Sequence, residues 1–148
     1  MLSKLLGEKM KVLFINPASQ KKIYQELSNK YTAIEPPTWS LLLAESCRSV
    51  GHNVAILDAC AEGLNYDEIL AKIKSFNPRL LCFVVYGTNV NAGTTNMSGA
   101  TELSKFLKQS GVKIPISYVG SMCKLYLMRP WKKNKVLILF LQTRVFTL

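Results

Sequence analysis

The stretch that decides the fold is residues 10–17, Met-Lys-Val-Leu-Phe-Ile-Asn-Pro. Residues 11–15 form an apolar, partly β-branched run, and Asn16-Pro17 closes it with a turn signal. A short continuous apolar run bounded in this way is typical of a strand that is buried on both faces of a parallel sheet. Such a strand usually stands near the start of its domain, so residues 1–9 are predicted to be an N-terminal extension.

Three more strands and three helices are predicted to follow in strict alternation. Pro36 and Pro37 can begin a helix but not continue one. Asn65 is a suitable N-cap, with two acidic residues in the turn after it. This alternation predicts an α/β protein with an open parallel sheet covered on both faces. The predicted strands are residues 11–15, 53–58, 80–85 and 114–119, and the predicted helices are residues 38–50, 66–76 and 97–109.

The composition fits one folded domain with an unusual C-terminal tail. The chain has 148 residues, of which 49% are hydrophobic and 19% are charged, close to ordinary globular usage. The formal net charge of +10 would by itself suggest a nucleic-acid partner. However, residues 122–148 carry six basic and no acidic side chains, so much of the excess lies in the tail. We therefore expect no nucleic-acid partner for the domain.

The cysteines and the apolar segments predict a cytoplasmic protein. The four cysteines, at positions 47, 60, 82 and 123, lack metal-binding spacing and mostly lie in apolar segments, as reduced and buried thiols do. The apolar run at residues 136–141 is too short to span a bilayer, and residues 1–9 lack the apolar stretch of a signal peptide. We expect a soluble protein that is neither exported nor bound to a membrane.

The sequence contains no catalytic constellation. A phosphate-binding GxxxxGK loop, a GxGxxG motif, and Ser/His/Asp or Cys/His arrangements are all absent. Asp58 ends the second predicted strand, but a phosphorylatable receiver domain would also need acidic residues after the first strand and a lysine after the last. We therefore expect no catalysis by this chain alone. Trp39, Phe83 and Tyr86 are interpreted first as core residues, although Tyr86 stands where the third strand ends.

Three segments resemble the N-terminal cobalamin-binding domain of B12-dependent radical SAM enzymes, a family that includes methyltransferases and anaerobic ester cyclases. They are MKVLFINPASQ (10–20), IEPPTWSLLLAESCRSVGHNVAILDACAEG (34–63) and YGTNVNAGTTNMSGATELSKFLKQSG (86–111). The chain departs from the family at two loop positions. Ala18 replaces the second proline of the first loop, and Ser121 replaces the second glycine after the fourth strand.

The resemblance implies a fold and a function for residues 10–121. The fold would be a flavodoxin-like or Rossmann-like sheet of order 2-1-3-4 with an optional fifth strand, and the domain would bind cobalamin. The CxxxCxxC motif of the family is absent, so the iron–sulfur cluster and S-adenosylmethionine would belong to a radical SAM domain that this chain lacks. The chain would be a fragment of a methyltransferase or cyclase in which that domain is the partner.

The resemblance also implies the site, because ligands of open parallel sheets bind beyond the carboxyl ends of the strands. No DxHxxG motif is present, and His52 precedes the second strand and so belongs to the opposite end of the sheet. The cobalt would therefore carry no protein histidine, and no metal ligand is predicted. The expected cobalamin-binding residues are Asn16 and Pro17 in the first loop, Asp58 and Ala59 in the second, Tyr86, Thr88, Asn89 and Asn91 in the third, and Gly120, whose missing side chain would let the cofactor approach closely.

Two alternatives stay open. The segment at residues 86–96, rich in hydroxyls and amides, is predicted to be a loop that hydrogen-bonds a ligand, but it could be a plain surface loop. The whole domain could also be a non-catalytic α/β interaction or regulatory module that has lost the cofactor. The departures at Ala18 and Ser121 favour this second function modestly.

The tail at residues 122–148 no longer resembles the family. Codons that encode residues 122–145 can be chosen so that reading them one base earlier gives HVQALPYETLEKEQSIDFVFTNEG, which resembles the family's continuation with a helix, a fifth strand and an acidic loop. We hypothesise a one-base frameshift near Ser121. For the tail as it stands, Pro130 predicts an irregular segment at residues 122–135, and the apolar run predicts an extended segment at 136–141.

The frameshift hypothesis predicts that the gene contains these codons and that its shifted frame continues to a CxxxCxxC motif. Sequencing the gene through residue 148 and beyond measures this directly. A different base order, or a shifted frame without a continuation, would leave the tail as a genuine basic segment that binds nucleic acid or a membrane surface.

Overall fold

Seven elements alternate along the part of the chain that the structure describes. A computed structural model describes residues 9–17, 36–86 and 90–120, with the backbone alone for residues 90–94. The N-terminal extension up to residue 8 and the tail segments at 122–135 and 136–141, including an optional fifth strand, lie outside these residues. The elements are β1 (Lys11–Asn16), α1 (Thr38–Ser49), β2 (Asn53–Asp58), α2 (Tyr66–Phe76), β3 (Leu80–Val84), α3 (Val90–Gln109) and β4 (Ile116–Val119).

The four strands form an open sheet in the order β2-β1-β3-β4, and all pairs are parallel. β1 is an inner strand of this sheet, with β2 on one side and β3 on the other. It pairs with β2 from Lys11 opposite Asn53 to Asn16 opposite Asp58, and its other side pairs with β3. The predicted α/β class, the flavodoxin-like open parallel sheet and the order 2-1-3-4 are confirmed.

Different helices cover the two faces of the sheet. Successive side chains of a strand point to opposite faces, so β1 and β3 each contribute alternate residues to two separate cores. α2 and α3 pack on one face, and α1 packs on the other over β1 and β2. The first core contains Leu13, Ile15, Leu57, Ile69, Ile73, Leu81, Phe83, Leu103 and Leu107, and the second contains Val12, Phe14, Ala44, Val54, Cys82, Val84 and Val119.

The amino end of α2 shows how local sequence fixes a helix start. The Asn65 side chain accepts a hydrogen bond from the Glu68 backbone N–H at 2.9 Å, and the Asn65 N–H donates to the Glu68 carboxylate at 2.8 Å. This reciprocal capping box satisfies two backbone groups that the helix leaves unpaired. Asn77, in the left-handed conformation with a φ of 50°, ends the helix. The predicted helix at residues 66–76 is confirmed at both ends.

The start of α3 is the boundary that differs most from the prediction. The sequence pattern predicts a loop up to Asn96 and a helix from Met97, but the helix begins at Val90. Residues 90–96 have low helix propensity, and tertiary contacts override it: the Asn96 amide donates to the Tyr86 carbonyl at 2.9 Å, and Met97 is buried in the core. β4 begins at Ile116 and not at residue 114, because Pro115 has no N–H for the strand ladder.

The described cysteines differ in burial, and the expectation of mostly buried thiols holds for one of the three. Cys82 is buried, Cys47 and Cys60 are half-buried, and none of the three forms a disulfide. Burial raises the pKa of the Cys47 thiol above its usual value, which keeps this group protonated at neutral pH. Cys123 lies outside the described residues.

Gly120 follows β4 at a point where two backbones approach closely. A Cβ atom at Gly120 would lie 2.6 Å from both the carbonyl oxygen and the Cγ2 of Val85. Val85 is fully buried at the exit of β3, and its N–H donates to the Val119 carbonyl at 2.8 Å. The space of the missing side chain is therefore taken by Val85, and the glycine serves the packing of these two strand ends.

We expect Gly120→Ala to lower the free energy of unfolding by about 1–3 kcal/mol, because the added methyl group overpacks a rigid backbone contact. Chemical denaturation monitored by circular dichroism measures the loss. Gly111→Ala is the comparison: no atom lies within 4 Å of its added Cβ, so only its φ of +79° opposes the change, and the expected cost is about 1 kcal/mol. A Gly120→Ala variant as stable as the parent chain would contradict the contact.

Candidate functional site

The carboxyl edge of the sheet contains a topological switch point between β1 and β3. The helix that follows β1 in sequence, α1, covers one face of the sheet, and the helix that follows β3, α3, packs on the opposite face. Divergence of two neighbouring strand exits opens a crevice beyond their carboxyl ends, and ligands of open α/β sheets bind there. The candidate site is therefore this edge, at the described residues 16–17, 58–59 and 85–86, which stand at the ends of β1, β2 and β3.

A polar pair ties the ends of β1 and β2 together. The Asn16 side-chain amide donates to Asp58 Oδ1 at 3.0 Å, and the same oxygen accepts from the Ala61 N–H at 3.1 Å. The Asp58 carboxylate thus holds the turn after β2. Ala59 donates its N–H to the Asn16 carbonyl at 3.1 Å and is fully buried, as is most of Pro17. These two residues shape the edge through packing, whereas Asn16 and Asp58 keep partly accessible polar atoms.

An aromatic pair at the same edge joins the start of α1 to the residue that follows Val85 after β3. Trp39, in the first turn of α1, stacks on Tyr86, which follows β3, with 4.5 Å between ring centroids and 22° between the ring planes. Trp39 is 47% exposed, so its interpretation as a core residue is wrong, whereas Phe83 is fully buried as expected. Trp39 lies two residues after Pro37, in the first turn of α1, and this position is the sequence signal that could have placed it at this edge.

The amino end of α1 points to the same edge, and no side chain among the described residues caps it. Pro37 occupies the N-cap position, and the first turn contains no acidic residue. Backbone N–H groups and the helix dipole make such an end electropositive. The end of α2 differs, because its capping box and Asp67 and Glu68 already neutralise it. The edge therefore offers an unneutralised helix end beside an aromatic pair.

The remaining predicted site residues divide into three groups. Thr88 and Asn89 lie outside the described residues. Asn91 lies in the first turn of α3 and not in a loop. Gly120 lies at the same edge after β4, where Val85 fills the space beside it. The structure thus brings Asn16, Asp58 and Tyr86 to one edge and adds Trp39, which the sequence analysis did not assign to the site.

His52 lies at the opposite edge of the sheet. It precedes β2, and its Nδ1 accepts a hydrogen bond from the Met10 N–H at 3.4 Å. Within residues 9–17, 36–86 and 90–120 no three His, Cys, Asp or Glu side chains are grouped so that they could hold a metal ion. No helix in this described part of the chain is long and apolar enough to cross a membrane.

Comparison with known proteins bears on the fold alone. No protein-family model matches the chain, and no curated protein matches it. Among solved structures, the anti-anti-sigma factor PhyR from Bartonella quintana is similar with a TM-score of 0.56 and 13% sequence identity, over 95% of this chain and 44% of that one. This chain thus spans less than half of the length of that structure. A likeness at this identity shows a common fold and carries no function.

The polar pair at the edge gives a testable energetic coupling. Asp58→Ala removes two hydrogen bonds and should lower the free energy of unfolding by about 1–3 kcal/mol, and Asn16→Ala removes one and should cost about 1 kcal/mol. Because both changes break the same bond, the double variant should lose less than the sum of the two. Urea denaturation of the four chains measures the coupling, and strictly additive losses would show that the two side chains do not interact.

Proposed function

We propose that residues 10–121 form a cobalamin-binding domain and that the corrin ring lies over the crevice between β1 and β3. The Trp39–Tyr86 stack is the observation that carries the proposal. It presents a flat, partly exposed apolar surface at the switch point, where a broad planar ligand can pack. The three sequence segments that resemble B12-dependent radical SAM enzymes include both of these aromatic residues.

The chemistry of the edge fits a corrin. A corrin ring has apolar faces and carries amide side chains on its rim, so it needs a flat apolar surface surrounded by hydrogen-bonding groups. Trp39 and Tyr86 supply the surface, and Asn16 and Asp58 supply accessible amide and carboxylate atoms at its border. Since His52 is at the far edge, the proposal assigns no histidine to the cobalt.

Bound cobalamin would supply methyl-transfer or related radical chemistry to a partner domain. The residues of this chain would bind and orient it. The exposed face of Trp39, with Tyr86 stacked behind it, would cover part of one corrin face and exclude water there, while the Asn16–Asp58 pair would hold the ends of β1 and β2 at a fixed spacing. In this proposal the chain is not an enzyme by itself. The iron–sulfur cluster, S-adenosylmethionine and substrate belong to a radical SAM domain, and the whole protein works in the cytoplasm.

A non-catalytic interaction module is the second candidate, and the exposed side of α1 favours it. Trp39 and Leu42, together with Val50 just after the helix, are 47%, 58% and 70% exposed, and their spacing places them on one flank of the helix. An apolar flank of this kind is a common protein-binding surface. The similar structure of PhyR is described as an anti-anti-sigma factor, a regulatory role, although the likeness itself carries only the fold.

Titration of the full chain with hydroxocobalamin tests the first candidate. We expect retention of the cofactor through gel filtration and a change in its visible spectrum at tens of micromolar. Tyr86→Leu should weaken binding about tenfold, because it keeps apolar bulk but loses the stacked ring. His52→Ala is the matched control at the opposite edge and should bind as the parent chain does, since the cobalt has no histidine ligand here.

The outcomes separate the two candidates. No retention by a folded chain would contradict cobalamin binding and favour the interaction module. In that case the exchanges Ala18→Pro and Ser121→Gly restore the family's loop residues, and recovered binding would identify a decayed cobalamin site. Weakened binding in the His52→Ala variant, with an altered spectrum, would contradict the position of the site at the carboxyl edge.

A further inference from the structure

The charged side chains of the described residues are separated between the two edges of the sheet. These residues carry nine basic and six acidic side chains, a modest excess that hides their placement. Four of the acidic residues lie at the carboxyl edge, between the end of β2 and the first turn of α2: Asp58, Glu62, Asp67 and Glu68. The amino edge, where the strands begin and the helices end, carries seven basic residues: Lys9, Lys11, Arg48, Lys74, Arg79, Lys108 and Lys113.

No acidic side chain lies at the amino edge in the part of the chain that the structure describes. The two remaining acidic residues, Glu45 and Glu102, lie within α1 and α3, before the last turns of these helices. Glu45 Oε2 is 3.9 Å from Arg48 Nη1, and both side chains of this pair are exposed, so it neutralises little charge. Among the described residues no carboxylate forms an ion pair with a lysine of this edge.

Helix ends explain fewer than half of these cations. A basic side chain in the last turn complements the negative end of the helix dipole. Each described helix has one such residue at this edge: Arg48, Lys74 and Lys108. The other four stand at or just before the first residue of a strand, where the backbone dipoles are small. They are Lys9, Lys11, Arg79 and Lys113.

The cations form a row across the sheet. Lys11 and Arg79 are neighbours on adjacent strands, because the Arg79 N–H donates to the Lys11 carbonyl at 2.8 Å. Lys9 lies beside the turn before β2, since a Cβ atom at Gly51 would be 3.8 Å from Lys9 Cε. Lys113 precedes β4 at the far end of the sheet. Four strands spaced about 4.8 Å apart make this row about 14 Å long.

The amino edge offers little apolar surface. Of the exposed large apolar side chains in the described residues, Val50 alone lies here. Phe76 is half-buried, and Lys11 Nζ lies 5.6 Å from its ring centroid, so a cation covers one face of the ring. Protein interfaces need an apolar or aromatic core, membrane-surface segments insert apolar side chains, and single-stranded nucleic acids stack on exposed aromatic rings. The edge has the cations that such surfaces share but lacks these apolar groups.

We propose that the amino edge of the sheet binds the phosphodiester backbone of a nucleic-acid duplex. A duplex carries one negative charge per about 1.7 Å of helix axis, or about eight along a row of 14 Å, and keeps its bases stacked inside. It therefore requires cations and no apolar surface. Net charge predicts no nucleic-acid partner for the domain, but it averages over two edges of opposite sign, of which a ligand meets one. The inference does not depend on cobalamin, whose proposed site lies at the other edge.

Fluorescence anisotropy of a labelled duplex of about 16 base pairs, made once as RNA and once as DNA, tests this with the full chain. We expect dissociation constants of about 1–100 μM that rise steeply with salt. The edge variant combines Lys11→Gln, Lys74→Gln and Lys113→Gln. It should bind about tenfold more weakly or worse and lower the slope of log affinity against log salt by about 2–3, because each lost phosphate contact lowers that slope by about 0.9.

The matched control removes the same charge from the tail through Lys132→Gln, Lys133→Gln and Lys135→Gln. It should lose less affinity than the edge variant does. Circular dichroism checks that the edge variant is folded, because Lys11 packs over Phe76. A second variant with Lys74→Gln and Lys113→Gln keeps this contact and should lower the salt slope by about 1–2.

An edge variant that binds both duplexes as the parent chain does would overturn the proposal, and a loss confined to the tail variant would assign the binding to the tail instead. Affinity that does not depend on salt, or no binding of either duplex at low salt, would also overturn it. Tighter binding to poly-glutamate, to vesicles of anionic lipid or to single-stranded RNA would contradict the duplex as partner. A preference between the two duplexes identifies which one supplies the backbone.

Discussion

The burial of β1 and β3 on both faces is the constraint on which the rest of the structure depends. Residues 12–15 and 81–84 are at most 4% exposed, so water reaches neither side of these two strands. A parallel pair of this kind is stable only when helices cover both faces. Each buried aliphatic or aromatic side chain contributes about 1.5–3 kcal/mol relative to exposure. The position of every described helix follows from the need to cover these strands.

The same constraint produces the candidate site. One connection from the central strands must go to each face, so α1 departs from β1 and α3 departs from β3 in opposite directions. Right-handed crossovers then bring both helix starts to the carboxyl edge. In the described residues the polar side chains that are buried are all serines, so the larger polar groups able to bind a ligand lie at the strand ends. The Asn16–Asp58 pair and the Trp39–Tyr86 stack are the two clearest examples.

The sequence predicted the architecture well because strong local signals and global packing agree there. The apolar strands, the capping box at Asn65 and the alternation of elements all favour the same sheet, and the order of its strands was confirmed. The start of α3 was wrong because contacts of Asn96 and Met97 outweigh the poor helix propensity of the preceding residues. Composition alone could not show this, since it contains no information on contacts between distant residues.

The site was predicted less completely, for two physical reasons. Asn16, Asp58 and Tyr86 could be placed at one edge because strand ends of a parallel sheet share an edge. Trp39 could not be assigned, because the exposure of its ring depends on how α1 rotates over the sheet. The role of Gly120 also required coordinates, since only they show that Val85 occupies the space beside it.

Hydrogen–deuterium exchange of the full chain with and without saturating hydroxocobalamin tests most directly whether the carboxyl edge is the binding site. We expect slower exchange in peptides that cover residues 38–42, 58–61 and 84–86, because a bound ligand would shield these backbone groups at the switch point. Peptides at the opposite edge, which cover residues 50–53 and 76–80, should exchange unchanged. Protection at the His52 edge, or no change anywhere with the ligand bound, would contradict the account.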